Sequence, residues 1–261
     1  MSKNVVHLFT PGIDSFLSSP IIAEKHKNDD IERVYFDIGT RYSTIEQDFL
    51  IDLYGNNDFF IDSSVFMGDI ESMTAHVPNR NVLLISMAQS RYAADYIYIN
   101  GVLDDNASDN NFSFYSKMSK LLSETSGKEV IVDSVLKLKE KSTCCKDWTD
   151  EHPESRFNLL TNTYSCFSNV PKSKMVPVCS INNNDRFIKQ KHMKIQGCLQ
   201  CPACFRRMCA LTNSNIFIPF ENTNIVNEYI NRVNSGSMDS TPNRKMTILL
   251  AKNFLDWIST A

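Results

Sequence analysis

The chain has 261 residues, of which 42% are hydrophobic and 22% charged, and its net charge is −3. That length can bury a sizeable core, as one large domain or a domain with an appendage, while the weak negative charge gives no global attraction for nucleic acid or acidic membranes. The longest apolar runs, such as Val82 to Ile85, are too short to cross a bilayer, and the N-terminus lacks a signal peptide's basic flank and apolar core, so a cytoplasmic protein is expected.

The first 135 residues alternate strand-like and helix-like patterns. Asn4 to Phe9 reads as a buried strand and is followed by a helix over Ile13 to His26. Glu32 to Asp37 is the second strand, and Arg41 to Tyr54 has helical periodicity through Ile45, Phe49, Ile51 and Leu53. Asp58 to Asp62 is the third strand, Arg80 to Asp95 the next helix, Tyr96 to Ile99 the fourth strand and Glu129 to Val132 the fifth. This alternation predicts βαβ units and a parallel sheet with helices on both faces. From Leu136 the pattern weakens. His152 to Cys198 is polar and broken by Pro153, Pro171 and Pro177, and reads as loop-rich, whereas Cys201 to Asn213, Asn222 to Val233 and Thr241 to Ile258 read as helices.

All 8 cysteines lie at or after Cys144, and residues 197–207 read GCLQCPACFRR. Two overlapping CxxC units place three thiols at a turn, where they can grip one ion. Zinc needs a fourth ligand, for which Cys166, Cys179, Cys209 and His192 are candidates. Buried reduced thiols or an iron–sulfur cluster are the competing readings; a redox CxxC lacks the strand that should precede it.

Residues 7–19, HLFTPGIDSFLSS, place Thr10-Pro11-Gly12-Ile13-Asp14-Ser15 between a strand and a helix. Backbone N–H groups at a helix start, with hydroxyls beside them, can hold a pyrophosphate. Pro-Gly with Asp and Ser is also ordinary turn chemistry, and no Gly-Lys-Ser/Thr of a Walker loop follows. The location favours a ligand, because open α/β sheets bind beyond the carboxyl ends of their strands.

Five stretches, in one order, resemble a single family. The loop resembles the SGGxDS signature of PP-loop ATP pyrophosphatases, with Thr10 for the first serine and Pro11 for the first glycine. FDIGTRY (36–42) is similar to FDYGQRH, and VPNRN (77–81) to VPGRN, of the 7-cyano-7-deazaguanine synthase (QueC) family. INGV (99–102) resembles its IGV-type strand end. TYSCF (163–167) with CLQCPACFRR resembles its T-[WY]-S-C-[YF] and later C-x-x-C-x-x-C-x-x-R. The likeness spans residues 5 to 210, about four fifths of the chain.

The resemblance implies an α/β fold of the adenine-nucleotide hydrolase-like (HUP) type, a parallel sheet flanked by helices, with a C-terminal four-cysteine zinc region and a helical tail. It divides the chain into a PP-loop nucleotide-binding domain at 1–135 and a helical, zinc-binding region at 136–261, packed as part of one domain, in a homodimer. It implies Zn²⁺ on Cys166, Cys198, Cys201 and Cys204, and ATP with Mg²⁺ on Leu8, Thr10, Gly12, Ile13, Asp14, Ser15, Asn81 and Arg207. Asp14, Ser15 and Arg80 are the implied catalytic residues; Asp14 would structure the loop or hold Mg²⁺. Arg80 and Asn81 would line the nucleotide or acceptor pocket, with a simple helix-start pair as the alternative. Arg207 would meet phosphate or carboxylate, or else form a surface salt bridge. The implied reaction converts 7-carboxy-7-deazaguanine and ammonia, with ATP, to the nitrile through an acyl-adenylate and an amide. Its product would serve queuosine-type tRNA modification or DNA modification.

Three departures bear on that expectation. Pro11 has no N–H, and one lost charge-assisted hydrogen bond costs on the order of 1.5–3 kcal/mol. The stretch LDDNASDNNFSFYSKM (103–118) offers Asp104, Asp105 and Asp109 but no Tyr-Pro-Asp-Cys segment for the deazaguanine. Cys166 and Cys198 are separated by a basic insert carrying Lys172, Lys174, Arg186, Lys189, Lys191 and Lys194. The insert, about 170–196, reads as a solvated loop or a contact with a macromolecule; strong nucleic-acid binding by the chain as a whole is not expected. A ligase using another acceptor and a catalytically silent nucleotide-binding relative are the alternatives to the synthase.

Overall fold

The computed structural model describes residues 2–73, 75–105, 108–168, 173–236 and 242–260. The chain forms two compact units, Met1–Leu138 and Lys139–Ala261. The first contains, in chain order, β1 (Asn4–Leu8), α1 (Ile13–Lys25), β2 (Asp30–Phe36), α2 (Ser43–Tyr54), β3 (Phe60–Asp62), a 3₁₀ turn at Gly68–Ile70, α3 (Arg80–Tyr92), β4 (Tyr96–Tyr98), α4 (Phe112–Ser126) and β5 (Ile131–Asp133). Its five strands form one parallel sheet in the order β3-β2-β1-β4-β5. The expected α/β fold is therefore present, a parallel sheet flanked by helices, with the cysteine cluster towards the C-terminus.

Strand β1 is central and buried on both faces, which is why its sequence runs apolar without alternation. Val6 and Leu8 pack with Val34, Phe36 and Ile97 against Ile85 and Ala88 of α3 and Met118 and Leu122 of α4. On the opposite face Val5 joins Ile22 of α1 and Tyr98, while Phe9 and Tyr35 join Leu50 of α2 and Phe59. Each such large apolar side chain contributes roughly 1.5–3 kcal/mol. Because β1 pairs with β2 on one side and β4 on the other, the direction of winding reverses beside it, and a crevice opens at its carboxyl end.

Helix α4 was not expected from the sequence. Its buried residues Tyr115, Met118 and Leu122 have helical spacing, but serines dilute the pattern. Two of those serines bind the neighbouring strand segment: Ser123 Oγ accepts from Val130 N–H at 2.9 Å and Ser119 Oγ from Val132 N–H at 2.8 Å. Asn111 caps the helix by accepting from Phe114 N–H at 3.0 Å.

The second unit contains α5 (Lys141–Glu151), a 3₁₀ turn at Pro153–Ser155, α6 (Asn158–Thr161), β6 (Ser173–Ile181), β7 (Phe187–Gln196), α7 (Pro202–Thr212), α8 (Thr223–Asn234) and α9 (Pro242–Thr260). The loop-rich expectation for 152–198 is corrected here: β6 and β7 make a long antiparallel hairpin with a bulge between Val178 and Cys179. Exposed residues on both faces of β7 hide the strand period in the sequence. Cys179 also bridges to Phe217, and both pack with Phe254 of α9. Residues 170–172 of the expected insert, including Lys172, and Thr241 at the expected start of the last helix lie outside the described residues. No helix among the described residues is long and apolar enough to cross a membrane.

Candidate functional site

The turn from β1 into α1 sits at the reversal between β1 and β4. Gly12, the residue before α1, is extended (φ −67°, ψ 159°), and no side chain caps the helix there. Its first-turn N–H groups thus have no side-chain cap, the arrangement that favours anions at a helix start. The turn needs no left-handed residue, since neither Pro11 nor Gly12 has positive φ; proline fits a turn built this way.

Ser15 holds the turn closed. Its Oγ accepts from Thr10 N–H at 3.0 Å and from Asn100 Nδ2 at 2.9 Å, and lies 3.0 Å from Thr10 Oγ1. Two accepted bonds and one donated bond saturate a serine hydroxyl. Asn100 is satisfied as fully. Its Nδ2 also donates to the Leu8 carbonyl at 2.6 Å, and its Oδ1 accepts from His7 Nε2 at 2.8 Å and from Ser18 Oγ at 2.6 Å. Burial lowers the His7 pKa to about 4, so this imidazole is neutral and donates from Nε2. The network joins β1, α1 and the end of β4 across the reversal. Asn100, His7 and Ser18 went unassigned in the sequence; the available signal was Asn100 itself, a polar residue in INGV directly after an apolar strand. Asp14 is half-buried in the first turn of α1, while Leu8 and Ile13 are buried at the ends of β1 and α1.

Gly39, in FDIGTRY, has φ +74°, and a Cβ there would lie 2.2 Å from the Phe66 ring. Beyond it, Glu46 of α2 accepts from Tyr35 Oη at 2.9 Å. Burial raises the Glu46 pKa to about 7, against the opposing influences of Tyr35 and Arg80. A buried carboxyl with so raised a pKa is a proton-handling candidate, and nothing in the sequence pattern singled it out. Arg80 begins α3, and the preceding Asn79 is left-handed (φ 55°), which explains asparagine where the similar motif has glycine. Arg80 Nε donates to Asn81 Oδ1 at 3.3 Å, and buried Asn81 donates to the Asp109 carbonyl at 3.0 Å. Asp105 organises its own loop, accepting from Val102 N–H at 3.1 Å and Asn110 Nδ2 at 2.7 Å; Asn106 and Ala107 beside it lie outside the described residues.

In the second unit Cys166, Cys198, Cys201 and Cys204 converge, with all four Sγ atoms within 4.8 Å of one another. Two of the separations are 3.9 Å (Cys201–Cys166) and 4.0 Å (Cys198–Cys204). A tetrahedral ZnS₄ centre with Zn–S of about 2.3 Å needs S···S of about 3.8 Å, so the donors fit zinc. Main-chain N–H groups point at the sulfurs: Ser168 and Cys198 donate to Cys166 Sγ at 3.3 Å each, Gln200 to Cys198 Sγ at 3.4 Å and Cys204 to Cys201 Sγ at 3.5 Å. These donors stabilise thiolate, the form that binds metal. Gly197 allows the close turn, with φ +136° and a virtual Cβ 3.2 Å from Cys204 Sγ. Of the other fourth-ligand candidates, Cys179 is buried with Phe217 and Cys209 is buried on α7; neither they nor His192 belong to the cluster.

Arg207 takes a place different from the one expected. It is buried, and its guanidinium donates to the carbonyls of Gln196 (3.0 Å), Leu160 (2.7 Å) and Thr163 (2.9 Å) and to Thr163 Oγ1 (3.0 Å). It ties α7 to the chain before Cys166 and after β7, and among the described residues it forms no surface salt bridge. A CxxCxxCxxR spacing places it one turn beyond Cys204, facing inward.

The chain is thus a parallel α/β protein with an uncapped strand-to-helix turn at its winding reversal and four cysteine thiols placed where they could hold a metal ion such as zinc. No protein-family model matches the chain, and no curated protein matches it. One solved structure with a likeness is described as the predicted subunit of tRNA methyltransferase from Methanocaldococcus jannaschii DSM. It shares 15% identity over 57% of this chain and 76% of that one, with a TM-score of 0.41, too low to carry an argument.

Proposed function

We propose that the protein uses Mg²⁺-ATP to activate the carboxylate of 7-carboxy-7-deazaguanine or a close relative and passes the acyl group to ammonia, giving amide and then nitrile. The observation that carries this reading is the turn Thr10–Ser15, placed at the winding reversal and fixed there by Asn100. The five ordered motif likenesses, from the loop to the thiol cluster, support the choice of substrate class.

The chemistry suits these residues. A carboxylate resists ammonia because oxide is a poor leaving group. Attack of its oxygen on the α-phosphorus of ATP forms the acyl-adenylate and releases pyrophosphate. Ammonia then adds to the carbonyl carbon and AMP departs. The amide oxygen repeats the attack on a second ATP, and loss of AMP with a proton leaves the nitrile. N–H groups at the start of α1 would hold the departing pyrophosphate, and Asp14 would hold its Mg²⁺. The Ser15 and Thr10 hydroxyls, bonded to one another in this state, would turn towards phosphate on binding. Zinc, held by the four cysteines, would be structural, since four thiolate ligands leave no open position.

A second reading, transfer of the acyl group to an amine on a macromolecule, is favoured by the folded hairpin between Cys166 and Cys198. Mass spectrometry of purified protein with Mg²⁺-ATP, ammonium and 7-carboxy-7-deazaguanine tests both. AMP with nitrile supports the synthase. AMP with amide alone confines it to the first half-reaction. Formation of AMP that depends on an added macromolecule, with no nitrile, supports the second reading. No AMP from zinc-loaded, folded protein rejects both for this substrate.

A further inference from the structure

The β6–β7 hairpin concentrates positive charge in an acidic chain. Residues 173–196 carry Lys174, Arg186, Lys189, Lys191 and Lys194 against a single acid, Asp185. The hairpin is thus +4 in a chain of −3, which leaves −7 elsewhere. Its cations are also left differently from others in the molecule. Lys128, Lys137, Lys146 and Lys252 each meet an aspartate, and on the hairpin Lys174 meets Glu221. Among the described residues, Arg186, Lys189, Lys191 and Lys194 form no ion pair. All four are exposed. The residues facing the three lysines across the hairpin are Cys179, Val178 and Met175, so no carboxylate sits opposite.

Lysines on an edge strand can serve only to block edge-to-edge pairing. Here the charge extends beyond the edge, through Arg186 in the turn and onto a neighbouring segment. Lys191 Nζ lies 4.1 Å from the Phe157 ring centroid, and the Arg156 guanidinium lies 4.6 Å from the same ring. A protein partner would need an apolar anchor at the centre of the patch. The hairpin's exposed large apolar residues, Met175 at 64% and Ile188 at 37%, stand at opposite ends of it. A row of unpaired cations without an apolar centre matches a repeating polyanion.

We infer that the outer edge of the β6–β7 hairpin, along β7, binds the phosphate backbone of a nucleic acid, through Arg186, Lys189, Lys191 and Lys194, whose side chains flank that edge from both faces. Arg186 to Lys194 spans roughly 25 Å at the rise of a strand, about seven nucleotides at 3.4 Å each. Four contacts predict a slope of log K against log salt of about −3 for a single strand. This inference stands apart from the reaction proposed above, and its test needs no ATP or turnover.

Fluorescence anisotropy of a labelled single strand of about 20 nucleotides, and of its duplex, with the zinc-loaded full chain between ~50 and ~200 mM salt, supplies the test. The variant K189E/K191E/K194E is compared with a charge-matched control, K3E/K27E/K117E, and with the milder K189Q/K191Q/K194Q. Zinc content and circular dichroism verify folding. The expected result is salt-sensitive binding of at least one of the two probes, lost about tenfold or more in the hairpin Glu variant, with a slope reduced by about 2. The Gln variant falls between, and the control stays within about twofold of the parent. The inference is overturned if neither probe binds at ~50 mM salt or if the control variant loses as much as the hairpin variant. An acidic polypeptide such as polyglutamate binding as tightly as the oligonucleotides would overturn it too, pointing to a protein partner instead.

Discussion

The turn at Thr10–Ser15 and the cluster of Cys166, Cys198, Cys201 and Cys204 both gather polar atoms in a small space, but they balance them differently. In the turn the side chains of Ser15 and Asn100 find complementary partners inside the protein, and are satisfied before any ligand arrives. In the cluster four like donors face one another, and N–H groups favour the charged form of the Cys166, Cys198 and Cys201 sulfurs. Gathered thiolates repel, so that arrangement is stable only around a cation. Ser15 and Asn100 are satisfied by partners within the fold, whereas the thiol cluster, read as a zinc site, would require its ion in order to fold.

The largest expected effect follows from that requirement. Cys201→Ser, or treatment with a strong chelator, should remove one zinc per chain and destabilise the second unit by several kcal/mol. Zinc stoichiometry and thermal melting report it; a cysteine variant that melts like the parent would mean the thiols hold no structural ion. Arg207→Met comes next, at about 3–5 kcal/mol, because several buried carbonyls lose a charged donor together; denaturant unfolding of zinc-loaded protein measures it. Asn100→Ala strips partners from His7, Ser18, Ser15 and the Leu8 carbonyl, and should cost about 2–4 kcal/mol. Nucleotide affinity should fall with it, while zinc content stays at the parental level, which separates the two sites.

The smallest effect concerns pH. His7, lowered from 6.5 to about 4, stays neutral in the fold while the unfolded chain protonates, so its contribution is lost as pH falls through that window. Glu46, raised from 4.5 to about 7, has the opposite sign: the fold retains a proton that the unfolded chain releases, and stability falls as pH rises from 4.5 to 7. The two slopes oppose between pH 4.5 and 6.5. Glu46→Gln should unmask the His7 slope and, above pH 7, exceed the parent by at most about 3 kcal/mol. Equal pH profiles of parent and variant would remove Glu46 from this account.

How much of this was legible depended on the kind of signal. The strands of the parallel sheet could be read because burial on both faces demands continuous apolar runs, as in Val5 to Phe9 and Val34 to Phe36. The four cysteines could be nominated because CxxC spacing and TYSCF are local patterns. Helix α4 was hidden by serines that serve the adjacent strand. The hairpin was hidden because β7 turns lysines outward on both faces. Asn100 and Glu46 act through partners 85 and 11 positions away, and no window along the sequence brings such pairs together. Arg207 was legible as a residue of interest but not as a buried donor to main-chain carbonyls.

The placement of the hairpin carries one more consequence. Both of its ends are moored to the thiol cluster, with Cys198 N–H resting on Cys166 Sγ across 32 positions. Closing a longer loop is cheap, at about 0.6 kcal/mol for each doubling of its length. With the mooring held at the thiols, the turn residues 182–186 are free to lengthen, shorten or change their charge, while Cys179 and Phe187 keep the strands packed on Phe217 and Phe254. The thiol cluster would then act as a socket, and the tip of the hairpin as a part that evolution can exchange.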